Sequence, residues 1–355
     1  MRQRLLVGLV ALLVLGVATG GVLWWVEERG PTSAFADAMR TLPEDSLRLG
    51  FTDWGDVSAS LDAPRGKAAL DEDRLTAFLG RSYDADVTTT SALVDSFAGM
   101  SANYGLTPAD AEWEAYGQGR QGAVDVLKLR DEVDLDALVD HLRETGYAEP
   151  KDPDGVWVGS GDLVATLDEP LTTTQKNVAV LHDQRLLLMA DDPTFLEQSI
   201  PVGTGDEDSV MAEDGVSQLV AAAGDDVRSA QLWVGDFACE DLAMSKADPV
   251  DRQEGDRLTD KVGGVHPLDG LVLARRTGRA ATIGMWFATD AQAEDDLQPR
   301  TDLARGAAPG QGGTFGDRFS VTRAVQDGRL VRLDVKARDT LMSDLGQGAV
   351  LFATC

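Results

Sequence analysis

Acidic side chains are the residues of this chain best suited to chemistry. The sequence contains 60 Asp and Glu residues against 32 Lys and Arg, a net charge of −28, and only 3 histidines. Two carboxyl groups held about 5 to 10 Å apart, one with a raised pKa, can act as acid and base in glycoside hydrolysis. Because sequence spacing does not show which acids meet, a hydrolase with paired Asp and Glu carboxylates stays a hypothesis, with its catalytic residues unknown.

Two short motifs contain residue types that bind nucleotides or metals. Gly117, Gly119 and Gly122 match G-x-G-x-x-G, but a dinucleotide site needs that pattern after a strand and at the start of a helix. Here a predicted strand follows the glycines. The segment 151–162 offers aspartates for Ca²⁺ without the spacing or terminal Glu of an EF-hand loop. Both segments are typical of turns, and we expect neither a cofactor nor a metal site.

The histidines and serines do not form a recognisable catalytic set. His141 and Glu144 lie at i, i+3 of a predicted helix, but no second pair completes a metal site. His182 falls in a predicted hairpin turn and His266 precedes a proline, so we expect both to be exposed. Ser160 lacks the flanking glycines of a nucleophile elbow. A non-enzymatic protein is therefore favoured over an enzyme, although a triad from distant positions stays possible.

The two cysteines, Cys239 and Cys355, are predicted to form a disulfide. Both lie beyond the apolar N-terminal segment, on the side where an oxidising compartment would preserve the bond. Cys239 follows the predicted strand "SAQLWVGDF", and Cys355 ends the apolar segment "AVLFATC", which we interpret as a last strand. A bridge would hold a chain end that would otherwise fray. The alternative is two unpaired thiols.

The N-terminal segment predicts a single membrane anchor. Residues 5–26 are 22 residues without a charge, about 33 Å as a helix, which is enough to cross a bilayer core. Trp24 and Trp25 fit the headgroup level of the membrane interface. The segment is longer than the apolar region of a cleaved leader, so we expect a signal-anchor. Cleavage near 18–20 or after the A-x-A sequence at 34–36 is the alternative.

The flanking charges favour a cytoplasmic N-terminus and an extracytoplasmic C-terminal domain. Arg2 and Arg4 precede the apolar segment, whereas Glu27 and Glu28 follow it. The strongly acidic remainder repels phosphate backbones and anionic lipid headgroups, which disfavours nucleic-acid binding and a second membrane contact. We therefore expect a single-pass protein of the cell membrane whose partners are the bilayer and an unknown envelope protein or ligand.

Three sequence blocks recur in the same order and predict an internal repeat. Segments 45–57 and 229–242 are each an apolar strand that ends at an Asp followed by an aromatic residue. Segments 124–142 and 281–303 are each a strand followed by an acidic helix start, and segments 178–198 and 323–345 each contain a hairpin. Identities are few, so a chance match of a common pattern is the competing explanation. Strands joined by the hairpins "HDQR" and "QDGR" outnumber crossover helices, which favours antiparallel sheets.

These observations predict an α+β fold with an N-terminal transmembrane helix followed by two related halves. Each half is expected to be an antiparallel sheet with helices on one face. The predicted boundaries are a cytoplasmic tip and anchor at 1–29, a stalk at 30–40, a first half at 41–203, an acidic linker at 204–215, and a second half at 216–355.

The overall plan resembles uncharacterised single-span, membrane-anchored envelope proteins of high-GC Gram-positive bacteria. The resemblance depends on the basic start and apolar span, then "TLPEDS" (41–46) ahead of a strand that ends at Asp53 and Trp54, then repeated strand-helix units. It implies no activity. We therefore expect an extracytoplasmic binding or scaffold protein of unknown ligand, with an envelope hydrolase as the alternative.

Overall fold

A sheet of eleven antiparallel strands organises the part of the chain that the computed structural model describes, which is residues 32–64, 71–160, 162–169, 171–338, 340–346 and 348–355. The strands are β1 (Ser46–Thr52), β2 (Ala111–Gly119), β3 (Ala123–Leu129), β4 (Val156–Val158), β5 (Asn177–Leu181), β6 (Leu186–Ala190), β7 (Val227–Val234), β8 (Gly270–Arg276), β9 (Ala280–Trp286), β10 (Phe319–Asp327) and β11 (Leu330–Ala337). Their order across the sheet is β10-β11-β9-β8-β7-β1-β2-β3-β6-β5-β4.

Twelve α-helices accompany the sheet in the described residues. They are α1 (Ala34–Met39), α2 (Trp54–Ser60), α3 (Glu72–Asp84), α4 (Phe97–Tyr104), α5 (Leu135–Thr145), α6 (Leu163–Thr166), α7 (Pro193–Thr204), α8 (Val216–Ala223), α9 (Phe237–Leu242), α10 (Pro249–Lys261), α11 (Asp290–Leu303) and α12 (Leu341–Leu345). The predicted α+β class is confirmed.

Local sequence signals define several of these elements. The side chain of Asp134 accepts a hydrogen bond from the N–H of Ala137, and Asp192 caps α7 in the same way through Phe195. Pro193 occupies the first position of α7, where a missing N–H costs nothing. The predicted hairpins are confirmed: β5 pairs with β6 around 182–185, and β10 pairs with β11 around 328–329.

The expectation of two separate sheets is wrong, because β1 and β7 pair with each other. Their register runs from Arg48 opposite Trp233 to Thr52 opposite Ser229. Each strand would otherwise expose an unpaired edge, which is open to aggregation, and pairing removes both edges at once. The sheet is therefore continuous from the first half of the sequence into the second.

The expectation of helices on one face is also wrong. On the first face, α1, α7 and α8 pack on a core that crosses the whole sheet and includes Phe51, Leu188 and Leu232. On the second face, α2 to α6 cover the first half and α9 to α12 cover the second half, each with its own core. The strands β5 and β6 are buried at every position, which requires cover on both faces.

The predicted stalk at 30–40 contains a helix of the core. In α1 the side chains of Phe35, Ala38 and Met39 are buried, and Ser33 caps the helix through the N–H of Ala36. Apolar residues at i, i+3 and i+4 after a capping serine are the signature of an amphipathic helix start. The segment from Ser33 onward therefore belongs to the folded unit.

The predicted acidic linker at 204–215 is also packed against the fold. Ser209 forms a β-bridge with Pro43, and Val210 is buried and donates its N–H to the carbonyl of Leu42. The predicted membrane span at 5–26 and its tryptophans Trp24 and Trp25 lie outside the described residues. Within the described ranges, no helix is both long enough and apolar enough to cross a bilayer.

The two sides of the sheet have matching strand orders. From the centre outward the first half runs β1-β2-β3-β6-β5, with the three-residue β4 added at its edge, and the second half runs β7-β8-β9-β11-β10. In each half, the last hairpin in sequence joins the sheet through its second strand. This strand is β6, beside β3, in the first half and β11, beside β9, in the second half. We call β5 and β6 the first wing, and β10 and β11 the second wing.

Candidate functional site

An open cavity of about 700 Å³ lies over the second wing on the first face of the sheet. One wall is α8, and the floor is the end of β9 together with the β10–β11 hairpin. We call this cavity the arginine cleft. Its lining residues are Gln218, Ala221, Ala222, Trp286, Arg323, Val325, Gln326, Asp327, Gly328, Arg329, Leu330 and Arg332.

The floor of the cleft follows from the alternation of the hairpin strands. Val325 is paired with Arg332, and Leu330 is paired with Trp286 of β9. Side chains two residues apart on one strand share a face, so Leu330 and Arg332 both face the cleft. The Asp-Gly turn closes the hairpin, with Gly328 at a φ of +56°.

Trp286 packs under the first turn of α8 because position 215 is a glycine. A Cβ on Gly215 would lie 2.3 Å from the indole Nε1, and the φ of +79° is itself unfavourable for other residues. The indole is 7% exposed, and the guanidinium of Arg329 lies 4.7 Å from its ring centroid. This stacking makes a flat, partly apolar wall with a positive charge on it.

The three arginines of the cleft differ in their partners. Arg329 pairs with Asp214 at 2.8 Å and lies 3.6 Å from Asp269. Arg332 pairs with Asp334 at 3.3 Å. Within the described part of the chain, Arg323 is exposed and forms neither an ion pair nor a hydrogen bond through its side chain.

One buried donor among the described residues of the cleft lining lacks an acceptor. Among the described residues, the indole Nε1 of Trp286 is a buried atom without a hydrogen-bond partner, whereas the Nε of Arg332 lies 3.3 Å from a carboxylate oxygen of Asp334. Buried donors are satisfied in the great majority of native structures, by protein, water or ligand. The cleft therefore combines the unpaired guanidinium of Arg323 and the buried N–H of Trp286 with the acidic side chains of Asp214, Asp327 and Asp334.

A buried acid occupies the first half on the second face of the sheet. Glu114 on β2 is 1% exposed and accepts hydrogen bonds from the indole of Trp54 at 2.7 Å, the hydroxyl of Ser91 at 2.7 Å, and the amides of Ala92 at 2.6 Å and Leu93 at 3.2 Å. A carboxylate has about four lone-pair sites. Glu114 thus holds the 91–93 loop against β2 and has no acceptor site left for a substrate.

A second acid, Asp125 on β3, is 0% exposed, and its two carboxyl oxygens have no hydrogen-bond partner of good geometry among the described residues. Burial and the charge of Glu114 hold the pKa of Asp125 well above its usual range. Burial also raises the pKa of Glu114, against the effect of its hydrogen bonds. Neither acid lines the arginine cleft, so the pair belongs to the core of the fold.

The predicted disulfide is confirmed as a pair at bonding distance. The Sγ atoms of Cys239 and Cys355 lie 1.96 Å apart and the Cα atoms 5.6 Å apart. The last segment is a single 3-10 turn at 351–353, so the expected final strand is wrong. Cys239 lies in α9, which the bond connects to the chain end.

The same chain end is held by an arginine that sequence reasoning missed. Arg300 on α11 is fully buried, donates to the carbonyls of Phe352 and Thr354, and pairs with Asp296 at 2.9 Å. Burial lowers the pKa of Arg300 to about 10, against the opposing effect of Asp296. An arginine at i+4 from an aspartate is an ordinary helix pair in sequence, so no local signal marked this one as buried.

His182 and His266, which we predicted to be exposed, are half-buried and lie beside aspartates. His182 Nδ1 lies 3.1 Å from Asp154, and His266 Nδ1 lies 2.7 Å from the buried Asp296. Their side chains are 35% and 41% exposed. His141 packs against Gly105, where a Cβ would lie 3.1 Å from its Nε2.

The glycine motif at 117–122 and the aspartates of 151–162 lie at strand ends and in turns. Gly117 and Gly119 end β2, and Gly122 precedes β3, so the pattern forms a strand-to-strand turn without a helix. Asp152 and Asp154 lie in the turn that leads to β4. Among the described residues, no group of three or more His, Cys, Asp or Glu side chains is placed to hold a metal ion.

Comparison with known proteins gives no family. No family model matches the chain, and no curated protein matches it. Three solved crystal forms of the protein TP0453 are similar over most of the chain. Form I has a TM-score of 0.38 and 7% identity over 86% of this chain and 95% of that chain. Form III has a TM-score of 0.35 and 9% identity over 86% of this chain and 96% of that chain. Form IV has a TM-score of 0.37 and 8% identity over 88% of this chain and 98% of that chain. At these values the likeness carries no functional argument.

Proposed function

We propose that this chain is a membrane-anchored, extracytoplasmic binding protein that holds a small ligand in the arginine cleft. The observation that carries the proposal is the cleft itself, an open cavity of about 700 Å³ whose lining combines apolar side chains with six polar or charged residues. Ligand pockets in proteins have this range of volume.

The alternative, an envelope hydrolase, needs two carboxyl groups that face a cleft and have separated pKa values. The acids with raised pKa values that come closest to this are Glu114 and Asp125. Glu114 has its acceptor sites occupied, and both side chains are buried in the core. These contacts favour the binding function.

The membrane anchor is supported by sequence and by one feature of α1. The 22 uncharged residues 5–26 are long enough to span a bilayer. The A-x-A sequence at 34–36 lies in α1, where the ring of Phe35 packs 5.1 Å from that of Phe51. Cleavage after Ala36 would separate Phe35 from the folded unit, and a core helix explains these residues without a cleavage site.

Fractionation tests the location. The protein should sediment with membranes, and protease added to intact spheroplasts should remove the acidic domain. Recovery of soluble protein that starts near Thr19 or Asp37 would contradict the anchor.

A neutral fluorescent probe tests binding at the cleft. N-phenyl-1-naphthylamine should give more fluorescence with the full-length protein in nanodiscs than with empty nanodiscs of the same lipid, and Ala221→Trp should abolish that difference, because Ala221 is an exposed residue of the cleft wall. Gln253→Trp, at an exposed position on α10, is the matched control and should bind as the wild type does. Equal binding by all three proteins would exclude the cleft as the site.

We also infer that the two halves arose by duplication of one strand plan. The matching strand orders and the hairpin at the same place in each half support this inference. In an experimental structure, β1, β2, β3, β6 and β5 should superpose on β7, β8, β9, β11 and β10. A mismatch in register between the superposed strands would count against duplication.

A further inference from the structure

We propose that the outer edge of β10 is an interaction surface for a second copy of this chain, which adds its own β10 in the antiparallel orientation. This inference does not depend on ligand binding in the arginine cleft. It follows from an open sheet edge and from two charged side chains on it that have no partner among the described residues.

The strand β10 ends the sheet on one side, and its outer edge is open. It is nine residues long, and within the described ranges no backbone hydrogen bond outside the β10–β11 ladder involves residues 319–327. The opposite edge strand, β4, has only three residues and forms a further bridge from Val158 to Ala148. Short or covered edges prevent pairing between chains, whereas a long open edge is a template for another strand.

The backbone groups on this open edge belong to Ala324 and Gln326. The regular part of the edge is 323–327, because the register with β11 shifts just before it. A two-residue turn joins the strands, so Asp327 and Leu330 are a hydrogen-bonded pair. Bonded and non-bonded positions alternate along an antiparallel pair, so Ala324 and Gln326 direct their N–H and C=O groups away from β11. A second strand can bond to both.

Two opposite charges flank the middle of the same edge. Arg323 and Asp327 are exposed, and in the described part of the chain neither side chain forms an ion pair. They lie on one face of the strand, four residues apart, which is about 13 Å and too far for them to pair with each other. Val325 lies midway between them on that face. The other two arginines of the hairpin have acidic partners.

Pairing about a two-fold axis at Val325 satisfies the open edge and both charges. Val325 then lies opposite Val325 of the second copy, and Ala324 exchanges hydrogen bonds with Gln326. Arg323 lies opposite Asp327 at each end of the pairing. Directly opposite side chains have Cβ atoms about 4.5 to 5.5 Å apart, which allows an ion pair. A two-fold interface uses the same surface of both copies, as this one does.

The neighbouring registers are less favourable. An axis at Arg323 places two arginines opposite each other, and an axis at Gln326 places Arg323 opposite Arg329. An axis at Ala324 leaves both charges without a partner. Like charges directly opposite are destabilising, so charge complementarity favours the axis at Val325.

The pairing also extends the arginine cleft. The axis is normal to the sheet, so the first face of both copies lies on the same side. Arg323, Val325 and Asp327 line the cleft at its open edge. The β10 strand of the second copy would therefore continue the floor of the cleft.

Cysteine substitutions test the pairing in the full-length protein in liposomes. The described residues contain no free cysteine. Under mild oxidation Val325→Cys should form an intermolecular disulfide, because the two copies of position 325 meet at the axis. Ser320→Cys, exposed on the same strand, is the matched control. It should stay monomeric, since its two copies would lie about 33 Å apart.

The register has its own test. Arg323→Cys alone should stay monomeric, and a mixture of Arg323→Cys with a differently tagged Asp327→Cys protein should form the mixed dimer. Crosslinking of Arg323→Cys to itself, without the mixed dimer, would contradict the axis at Val325.

Charge reversal tests the ion pairs by sedimentation of the full-length protein in detergent micelles. Arg323→Asp should weaken dimerisation on the order of tenfold, because two opposite-charge pairs become like-charge pairs. The double variant with Asp327→Arg should restore it. Arg257→Asp, at an exposed position on α10, makes the same change in net charge and should dimerise as the wild type does. A dimer that Arg323→Asp leaves unchanged, or equal crosslinking of Val325→Cys and Ser320→Cys, overturns the proposal.

Discussion

The two wings of the sheet occupy matching places in the strand order, but only the first wing is covered on the first face. The helix α7 follows β6 and packs on that face through Phe195 and Leu196. The helix α12 follows β11 and packs on the second face through Leu341 and Met342. The arginine cleft therefore lies on the face of the second wing that α7 covers in the first wing.

The side chains under these two sites differ accordingly. In the first wing Leu186, Leu188 and Ala190 face α7, and Leu186 is opposite Lys128 of β3. In the second wing, residues in the same alternation are Leu330, Arg332 and Asp334, and Leu330 is opposite Trp286 of β9. Charged residues two positions apart mark a strand face that no helix covers.

The same strand order is therefore compatible with two kinds of helix cover on the first face. A wing with apolar residues on both faces forms the core of the fold. A wing with one charged face keeps its other face in the core and leaves the charged face open to solvent.

The largest expected effect on stability comes from placing the charged residue type of the second wing in the first wing, and the reverse change serves as the comparison. Leu188→Arg places a charge under α7, where position 188 is 0% exposed, and should lower the free energy of unfolding by more than about 4 kcal/mol. Arg332→Leu removes one half-exposed ion pair and should change it by less than about 1 kcal/mol. Urea denaturation of the full-length protein in detergent micelles measures both.

If Leu188→Arg does not fold, Leu188→Ala replaces it, with an expected loss of about 2 to 5 kcal/mol. Similar losses of unfolding free energy for the Leu188 and Arg332 variants would show that the cover by α7 does not make the first wing more sensitive to substitution than the second wing.

The disulfide gives the next largest effect and is confined to the second half. Cys355→Ser should lower the free energy of unfolding by about 2 to 4 kcal/mol, because the bond closes a loop of 116 residues in the unfolded chain. Hydrogen exchange should rise in residues 348–355 and stay unchanged in α7. Reduction of the wild type should have the same effect as the substitution, and insensitivity to dithiothreitol would mean that the bond is absent.

Two glycines on the first face test the indole wall of the cleft. Gly205, with a φ of +83°, has open space around it, whereas Gly215, with a φ of +79°, abuts Trp286. Gly205→Ala should cost about 1 kcal/mol for the left-handed backbone alone. Gly215→Ala should cost about 1 to 2 kcal/mol more, because the indole must move. Equal costs from thermal melts would show that the indole does not depend on Gly215.

The smallest effect per measurement condition concerns Asp125, and it shows only as a change with pH. In the second half Ile283 occupies the position that corresponds to Asp125. The unfolded pKa of Asp is about 3.9, and burial and Glu114 raise the pKa of Asp125 in the fold. The fold therefore retains a proton that the unfolded chain loses, and stability falls as pH rises above about 4.

Asp125→Asn should remove this loss. Its stability relative to the wild type should grow with pH by at most about 1.4 kcal/mol per pH unit. Denaturation at pH 5, 6 and 7 measures this, with the exposed Asp295→Asn as control. A constant difference across the three pH values would mean that Asp125 is charged in the fold.

Sequence alone was sufficient for the local features of the chain. The caps at Asp134 and Asp192, the two hairpins, the cysteine pair and the antiparallel α+β class all depend on residues close in sequence or on composition. In such cases the residue type carries the physical cause, for example a side-chain oxygen next to free amides.

The tertiary structure decided which elements meet. The sequence of β1 does not show that its outer edge pairs with β7, since backbone hydrogen bonds do not depend on side-chain type. The sequence also does not predict which face of the sheet α7 and α12 pack on, because both helices have apolar residues and follow similar hairpins. The arginine cleft became a candidate site only with the tertiary structure, because the missing helix over β10 and β11 on the first face depends on how distant segments pack.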